Sequence, residues 1–286
     1  MGKIMDYHCG YDSAVGLGLW AEKEPSLQFP QAYCQREQMA LLAQTIRRED
    51  GGAFCLLPFC HTLEAEAYGA TIDLGDGLTG PRARGYRFSS WKELAELPPL
   101  KMETPRLQET LAACRLLKEK GESVLFQISG PMTTLNSLLP SEQLFRALMK
   151  ETDLVLELFR RMGQDSLRLL KAAEEAGADL LSYADPMASV SIVGPRLTEI
   201  ISREFTAPYL KQADRRLKAE SLLLLCPKTA FALLGTELAQ WKEHSLPPGL
   251  TYGEGALYLR GKLRFSGQCC VKKRQTTETF RELVLK

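Results

Sequence analysis

The stretch from Ala176 to Pro186 (AGADLLSYADP) sets the strongest limit on what this chain can fold into. It reads as the end of a helix, a short buried strand and a polar turn. Gly177 supplies the left-handed position that closes helices at low cost. Leu180 to Ala184 is a mostly apolar run of strand length, the pattern of a parallel strand covered on both faces. Asp185-Pro186 then ends it, because proline cannot donate to a ladder. An acid just past a parallel strand either points into the mouth where α/β folds bind ligands or caps the next turn, and both readings stand at this level.

The same pattern recurs along the chain. Ala53 to Leu57 is a buried run stopped by Pro58-Phe59-Cys60-His61, and Ala70 to Leu74 is a shorter one. Ser123 to Ser129 ends at Gly130-Pro131, and Ser221 to Leu225 ends at Cys226-Pro227. Between these runs, apolar residues fall at helical spacing: Ala32, Met39, Leu42 and Ile46; then Leu107, Leu111, Cys114 and Leu117; then Leu154, Leu158 and Met162. Pro195 opens a further helix at a position where its missing N–H is no loss. Residues 249–267 offer two short strand candidates, and 277–286 reads as a terminal helix. Strands alternating with helices imply parallel βαβ units. The expected fold is α/β, a single (β/α)8 TIM-type barrel over residues 1–286 with a loose, irregular N-terminal segment over 1–30. A doubly wound open sheet is the alternative, but no G-x-G-x-x-G follows any strand.

Composition narrows the function classes. Thirty-six basic against 35 acidic side chains leave a net charge of +1, which argues against nucleic acid and against an anionic membrane as partners. No apolar run approaches the ~20 residues that span a bilayer, and Met1 to Asp6 opens no signal-peptide core. A cytoplasmic protein is expected. Its eight cysteines lack the even spacing of a disulfide framework, so each is a small core residue, a ligand or a nucleophile.

Several residues stand where chemistry is favoured. Cys60 and His61 follow the first strand. Glu64 and Glu66, two apart, cannot share one helix face, so at most one points inward. The Gly-rich loop over 75–90 carries Arg82, Arg84 and Arg87, which could close over an anionic ligand or lie in solvent. Cys226 and Cys269-Cys270 each follow a strand, and in a barrel both strand ends open on one mouth. His8-Cys9 could bind a metal, but two ligands on an irregular terminus more often mean nothing.

The Gly-Ala-Asp, apolar strand and Ala184-Asp185-Pro186 sequence, followed by a small-residue loop and Phe205-Thr206-Ala207-Pro208-Tyr209-Leu210-Lys211, resembles the uroporphyrinogen decarboxylase superfamily. Pro58-Phe59-Cys60 with Glu64-Ala65-Glu66-Ala67 is similar to its cobalamin-dependent branch, the methylcobamide:coenzyme M methyltransferases. The resemblance implies methyl transfer between a methylcobamide, free or on a corrinoid protein, and a small thiol or folate acceptor. It also implies zinc, held by a His-x-Cys and a later Cys. Cys226 matches the first cysteine and Cys270 the last, with Cys269 the alternate. Leu224 stands where the branch carries His, so either His61, Glu64 or Glu66 replaces that ligand or zinc is lost. Asp185 and Glu66 are the implied catalytic acids, and Arg82, Arg84, Met187 and Ser189 the implied cofactor contacts. A non-catalytic corrinoid binder is the second reading. Porphyrinogen decarboxylation is the third, weakened because Arg36 is the only arginine in the first 45 residues.

Overall fold

The computed structural model describes residues 4–9 and 23–286. Its strands, in chain order, are β1 (Cys55–Leu57), β2 (Ile72–Asp73), β3 (Arg82–Ala83), β4 (Val124–Ser129), β5 (Leu180–Ala184), β6 (Leu223–Leu225), β7 (Ala239–Ser245), β8 (Phe265–Ser266) and β9 (Thr279–Leu285). The main sheet runs β1-β4-β5-β6-β8-β9-β7, with β2 and β3 forming a separate ribbon. From β1 to β8 every pairing is parallel, and β8–β9 and β9–β7 are antiparallel. With helices between the parallel strands, this is the α/β barrel of TIM type.

The parallel strands are buried on both sides, and alternation sorts their side chains. Leu181, Tyr183, Leu223 and Leu225 join the large core that includes helix residues such as Phe159, Leu170 and Tyr209. Leu125, Leu180, Leu222 and Leu224 join a second apolar cluster with Phe54, Tyr252 and Phe280. The register sets Gln127 beside Ser182, Ser182 beside Leu224, and Leu224 beside Ser266. That row lies on the same side as the second cluster, because successive side chains alternate across a strand.

Local signals explain the element ends. Gly69, Gly121 and Gly177 all adopt positive φ where helices close. Gly194, at φ 75°, breaks the helix Val190–Ile201 so that its second half starts at Pro195. The parallel strands β1, β4, β5 and β6 are each followed within one or two residues by proline, and at 131, 186 and 227 that proline starts a helical segment.

The C-terminal part departs from expectation. Of the two strands expected in 249–267, only β8 forms, and Tyr252–Leu259 is a helix. Its start is fixed by a capping box, with Thr251 and Glu254 each satisfying the other's backbone N–H. Its glycines serve close packing rather than a turn, since a methyl at Gly255 would come within 2.6 Å of Leu246. The expected terminal helix is strand β9. Phe280 and Leu283 mimic an i, i+3 helix face, but they lie on opposite sides of the sheet, in different clusters. Its partner β7 is a polar edge strand without the apolar alternation that would mark it in the sequence.

Candidate functional site: a thiol-lined cavity at the strand ends

A cavity of about 100 Å³ opens where the parallel strands end. Gln127 of β4 and Ser182 and Ala184 of β5 form one wall, Cys226 follows β6, and Cys270 and Lys272 follow β8. His61, from the loop after β1, and Cys9, from the N-terminal segment, complete the lining. Residues from five strands or the loops that follow them, and from the N-terminal segment, thus meet at the carboxyl end of the sheet, the place where barrels of this kind bind ligands.

Of the residues singled out in the sequence, the cavity brings together His61, Cys226 and Cys270. Cys269 turns the other way, 6% exposed, into the second apolar cluster. Leu224 does not line the cavity and is fully buried in that same cluster. Asp185 is 4% exposed and caps the helix Pro131–Asn136: its carboxylate accepts from Met132 N at 3.2 Å, Thr133 N at 2.8 Å and Thr133 Oγ1 at 2.7 Å. The arrangement needs Gly130, where a methyl would come within 2.4 Å of the Asp185 side chain. Glu66 forms an ion pair with the buried Arg106, which also donates to Thr62 Oγ1 at 3.0 Å. Glu64 is buried and accepts from Ser129 N at 2.6 Å. Arg82 pairs with Asp73 across the β2–β3 ribbon at 2.7 Å, and Arg84 donates its backbone N–H to Thr71. Met187 packs on the large core, and Ser189 Oγ lies 3.1 Å from Ser191 Oγ.

Three cavity residues carried a weaker signal. Gln127 and Ser182 are polar positions inside otherwise apolar strands, and the register sets them side by side. Cys9 had only its neighbour His8 to mark it.

The electrostatics of the lining are those of a dry pocket. Burial lowers the His61 pKa to about 4, with the nearby Lys272 charge acting in the same direction. Its Nδ1 lies 3.1 Å from Ser129 Oγ. Burial pushes the Cys226 thiol up to about 12 and raises Cys270 as well. Burial also raises Asp185 to about 6, against the opposing hydrogen bonds from Thr133 and Met132. Near neutral pH the cavity therefore presents a neutral His61 imidazole and protonated Cys226 and Cys270 thiols.

Among the described residues, no group of three or more His, Cys, Asp or Glu side chains is placed so that it could hold a metal ion. The donor set nevertheless suits zinc. Thiols and a neutral imidazole are its preferred ligands, and a cation binding there would displace the thiol protons that burial otherwise retains.

A (β/α) barrel with a small thiol- and imidazole-lined cavity at its strand ends defines the class of protein. The chain belongs to the uroporphyrinogen decarboxylase (URO-D) family, which matches residues 20–240. It is similar to the methylcobamide:CoM methyltransferase MtaA of Methanosarcina barkeri, with 25% identity over 208 residues, 72% of this chain and 60% of that protein. MtbA of Methanosarcina mazei, also a methylcobamide:CoM methyltransferase, is 28% identical over 211 residues, 72% of this chain and 61% of that protein. The chain thus spans about three-fifths of the length of these relatives. A solved methyltransferase from Methanosarcina mazei shares the fold, with a TM-score of 0.64 and 24% identity, covering 77% of this chain and 67% of that one. Among the described residues no helix is long and apolar enough to cross a membrane.

Proposed function

We propose that this protein is a corrinoid-dependent methyltransferase that moves a methyl group between a methylcobamide, free or protein-bound, and a small thiol held in the cavity. One observation carries the reading: Cys226 and Cys270, from two separate strand ends, face the same cavity. The volume of about 100 Å³ admits a small acceptor and not a corrinoid macrocycle, so the methyl donor is met at the mouth. Lys272 on the wall suits an acceptor with an anionic group.

Cys226, Cys270 and His61 are the residues that would hold zinc. Bound there, zinc would keep a substrate thiol deprotonated and nucleophilic near neutral pH. A His61 ring neutral down to about pH 4 is a poor proton acceptor but a competent ligand. Ser129 orients that ring through Nδ1. In the transfer, a sulfur–carbon bond forms as the methyl–cobalt bond breaks, the electron pair of that bond stays with the corrinoid, and the thiol proton leaves to solvent. Asp185 and Glu66 support the site through the helix Pro131–Asn136 and through Arg106. The full burial of Leu224, the residue standing where a ligand was expected, favours the second reading, a corrinoid binder without turnover.

The test is methyl transfer from methylcobalamin to a panel of small thiols and to a folate, on protein whose zinc content is measured. Transfer to an anionic thiol, lost in Cys226→Ser and Cys270→Ser, is expected. Corrinoid binding with no transfer to any acceptor would overturn the reading in favour of the non-catalytic one.

A further inference from the structure

Cys9 reaches the cavity on a segment that is anchored at two points. Ile4, 9% exposed, packs so closely on Gly235 that a methyl there would come within 2.8 Å of Ile4 Cα. Tyr7 packs its ring on Phe231, 5.6 Å between centroids, and its hydroxyl bonds the backbone of Cys270. Phe231 and Gly235 belong to the helix Pro227–Gly235, which starts immediately after Cys226. The segment is therefore fastened to the two elements that carry the other two thiols. The Cys9 thiol lies beside Cys270 and lines the same cavity as Cys226.

The cavity thus has three thiols, while position 224, from which a ligand was expected, is occupied by a buried leucine. Three soft donors around one small space are a stronger zinc-binding set than two. As placed, the described donors form no group of three that could hold a metal ion, so binding calls for rotation of these sulfurs, each about a single χ1.

We infer that Cys9 is a zinc ligand of this chain, supplied by the N-terminal segment, so that Cys9, Cys226 and Cys270 hold the metal together. The inference rests on the zinc-dependent reading above. It makes residues 4–9 part of the site rather than a loose lead-in, and it makes Leu224 a position the site does without. Each bound thiolate releases its proton to solvent as it ligates zinc, so binding is accompanied by proton release.

The experiment is chelator competition with Zn²⁺, together with Co²⁺ substitution read by the thiolate-to-cobalt charge-transfer band, on the full chain and on single variants. Cys9→Ser should weaken zinc at least ~10-fold and lower the charge-transfer intensity by about a third, as one of three thiolates is lost. Cys9→His should recover much of the affinity while the band stays low. Gly235→Val touches no thiol but pushes the Ile4 anchor away, and it should reproduce the Cys9→Ser effect with the helical circular dichroism retained. If Cys226→Ser and Cys270→Ser lose zinc while Cys9→Ser binds it as the parent does, the inference falls and the two-cysteine reading stands. If the parent chain binds neither metal, both the inference and the zinc-dependent reading fall.

Discussion

The ends of β5 and β6 are written almost alike and do different work. Each closes with a polar residue and a proline that starts a helical segment, Asp185-Pro186 and Cys226-Pro227. Asp185 turns to the neighbouring strand end, where Gly130 has no side chain and the N–H groups of the helix Pro131–Asn136 await an acceptor. Cys226 turns to the cavity it shares with Cys270 and Cys9. The position just past a parallel strand therefore does not decide between support and chemistry. What stands on the neighbouring strand end does.

The largest effect should come from breaking the Asp185 side of the comparison. Asp185→Ala leaves two buried backbone N–H groups and the Thr133 hydroxyl without their acceptor, and should cost about 4 kcal/mol in chemical denaturation. Asp185→Asn separates charge from shape. Because burial raises the native pKa to about 6, above its ordinary 3.8, the native protein binds the extra proton between those values. Below the lower value the penalty for the buried charge is absent, and above pH 6 it is fully present. The parent's stability advantage over Asp185→Asn should therefore widen as pH falls from 7 to 4. A gap that narrows would mean that the carboxylate is not the group under strain.

Leu224→His tests the strand that leads to the other end. Alternation puts positions 224 and 226 on one side of β6, so an imidazole at 224 is the direct way to supply the ligand that the sequence lacks. Leu224 is, however, fully buried among Leu125, Leu222 and Cys269, level with Gln127 and Ser182 but packed away from the cavity they line. The imidazole should enter that cluster unpartnered, costing about 3 kcal/mol and adding no zinc affinity. Tighter zinc binding in this variant would show that the cluster opens to the cavity.

Gly130→Ala should cost about 2 kcal/mol by pushing on Asp185 across 2.4 Å. Calorimetry should show the loss, and the loss should shrink in an Asp185→Gly background, which removes the Asp185 Cβ and carboxyl that the new methyl meets.

How far the sequence discloses this molecule depends on whether its signals are local. The parallel strands, the glycine-closed helices and the prolines that follow the strands are all local features, and the barrel follows from them. β7 and β9 escape because one is a polar edge and the other places its two deeply buried residues on opposite faces. Cys226, Cys270 and His61 could be named because each lies beside a recognisable strand. Cys9 could be named only as half of a His-Cys pair on an irregular terminus, since it is the packing of Ile4 and Tyr7 on the helix after Cys226 that brings it to the cavity. The roles of Glu64 and Glu66 depend on Ser129 and Arg106, more than 35 residues away in each case (65 and 40 positions), and no local pattern conveys that.

The finest form of the comparison lies in two adjacent residues. Cys269 and Cys270 follow β8 on one short turn, and in the sequence either could be the ligand. The fold separates them: Cys269 packs with Leu224, Tyr252 and Phe280, whereas Cys270 lines the cavity. Removing the sulfur of Cys269 deletes one buried heavy atom from an apolar cluster, at a cost of about 1 kcal/mol, while zinc affinity stays at the parent's level. Removing that of Cys270 deletes a cavity-facing donor. Cys270→Ala should therefore keep stability within about 0.5 kcal/mol while zinc affinity falls at least ~10-fold. Thermal unfolding and chelator competition on the two alanine variants read both quantities. The reverse pattern, zinc lost with Cys269 and stability lost with Cys270, would mean that the turn after β8 faces the other way and that the cavity has a different third wall.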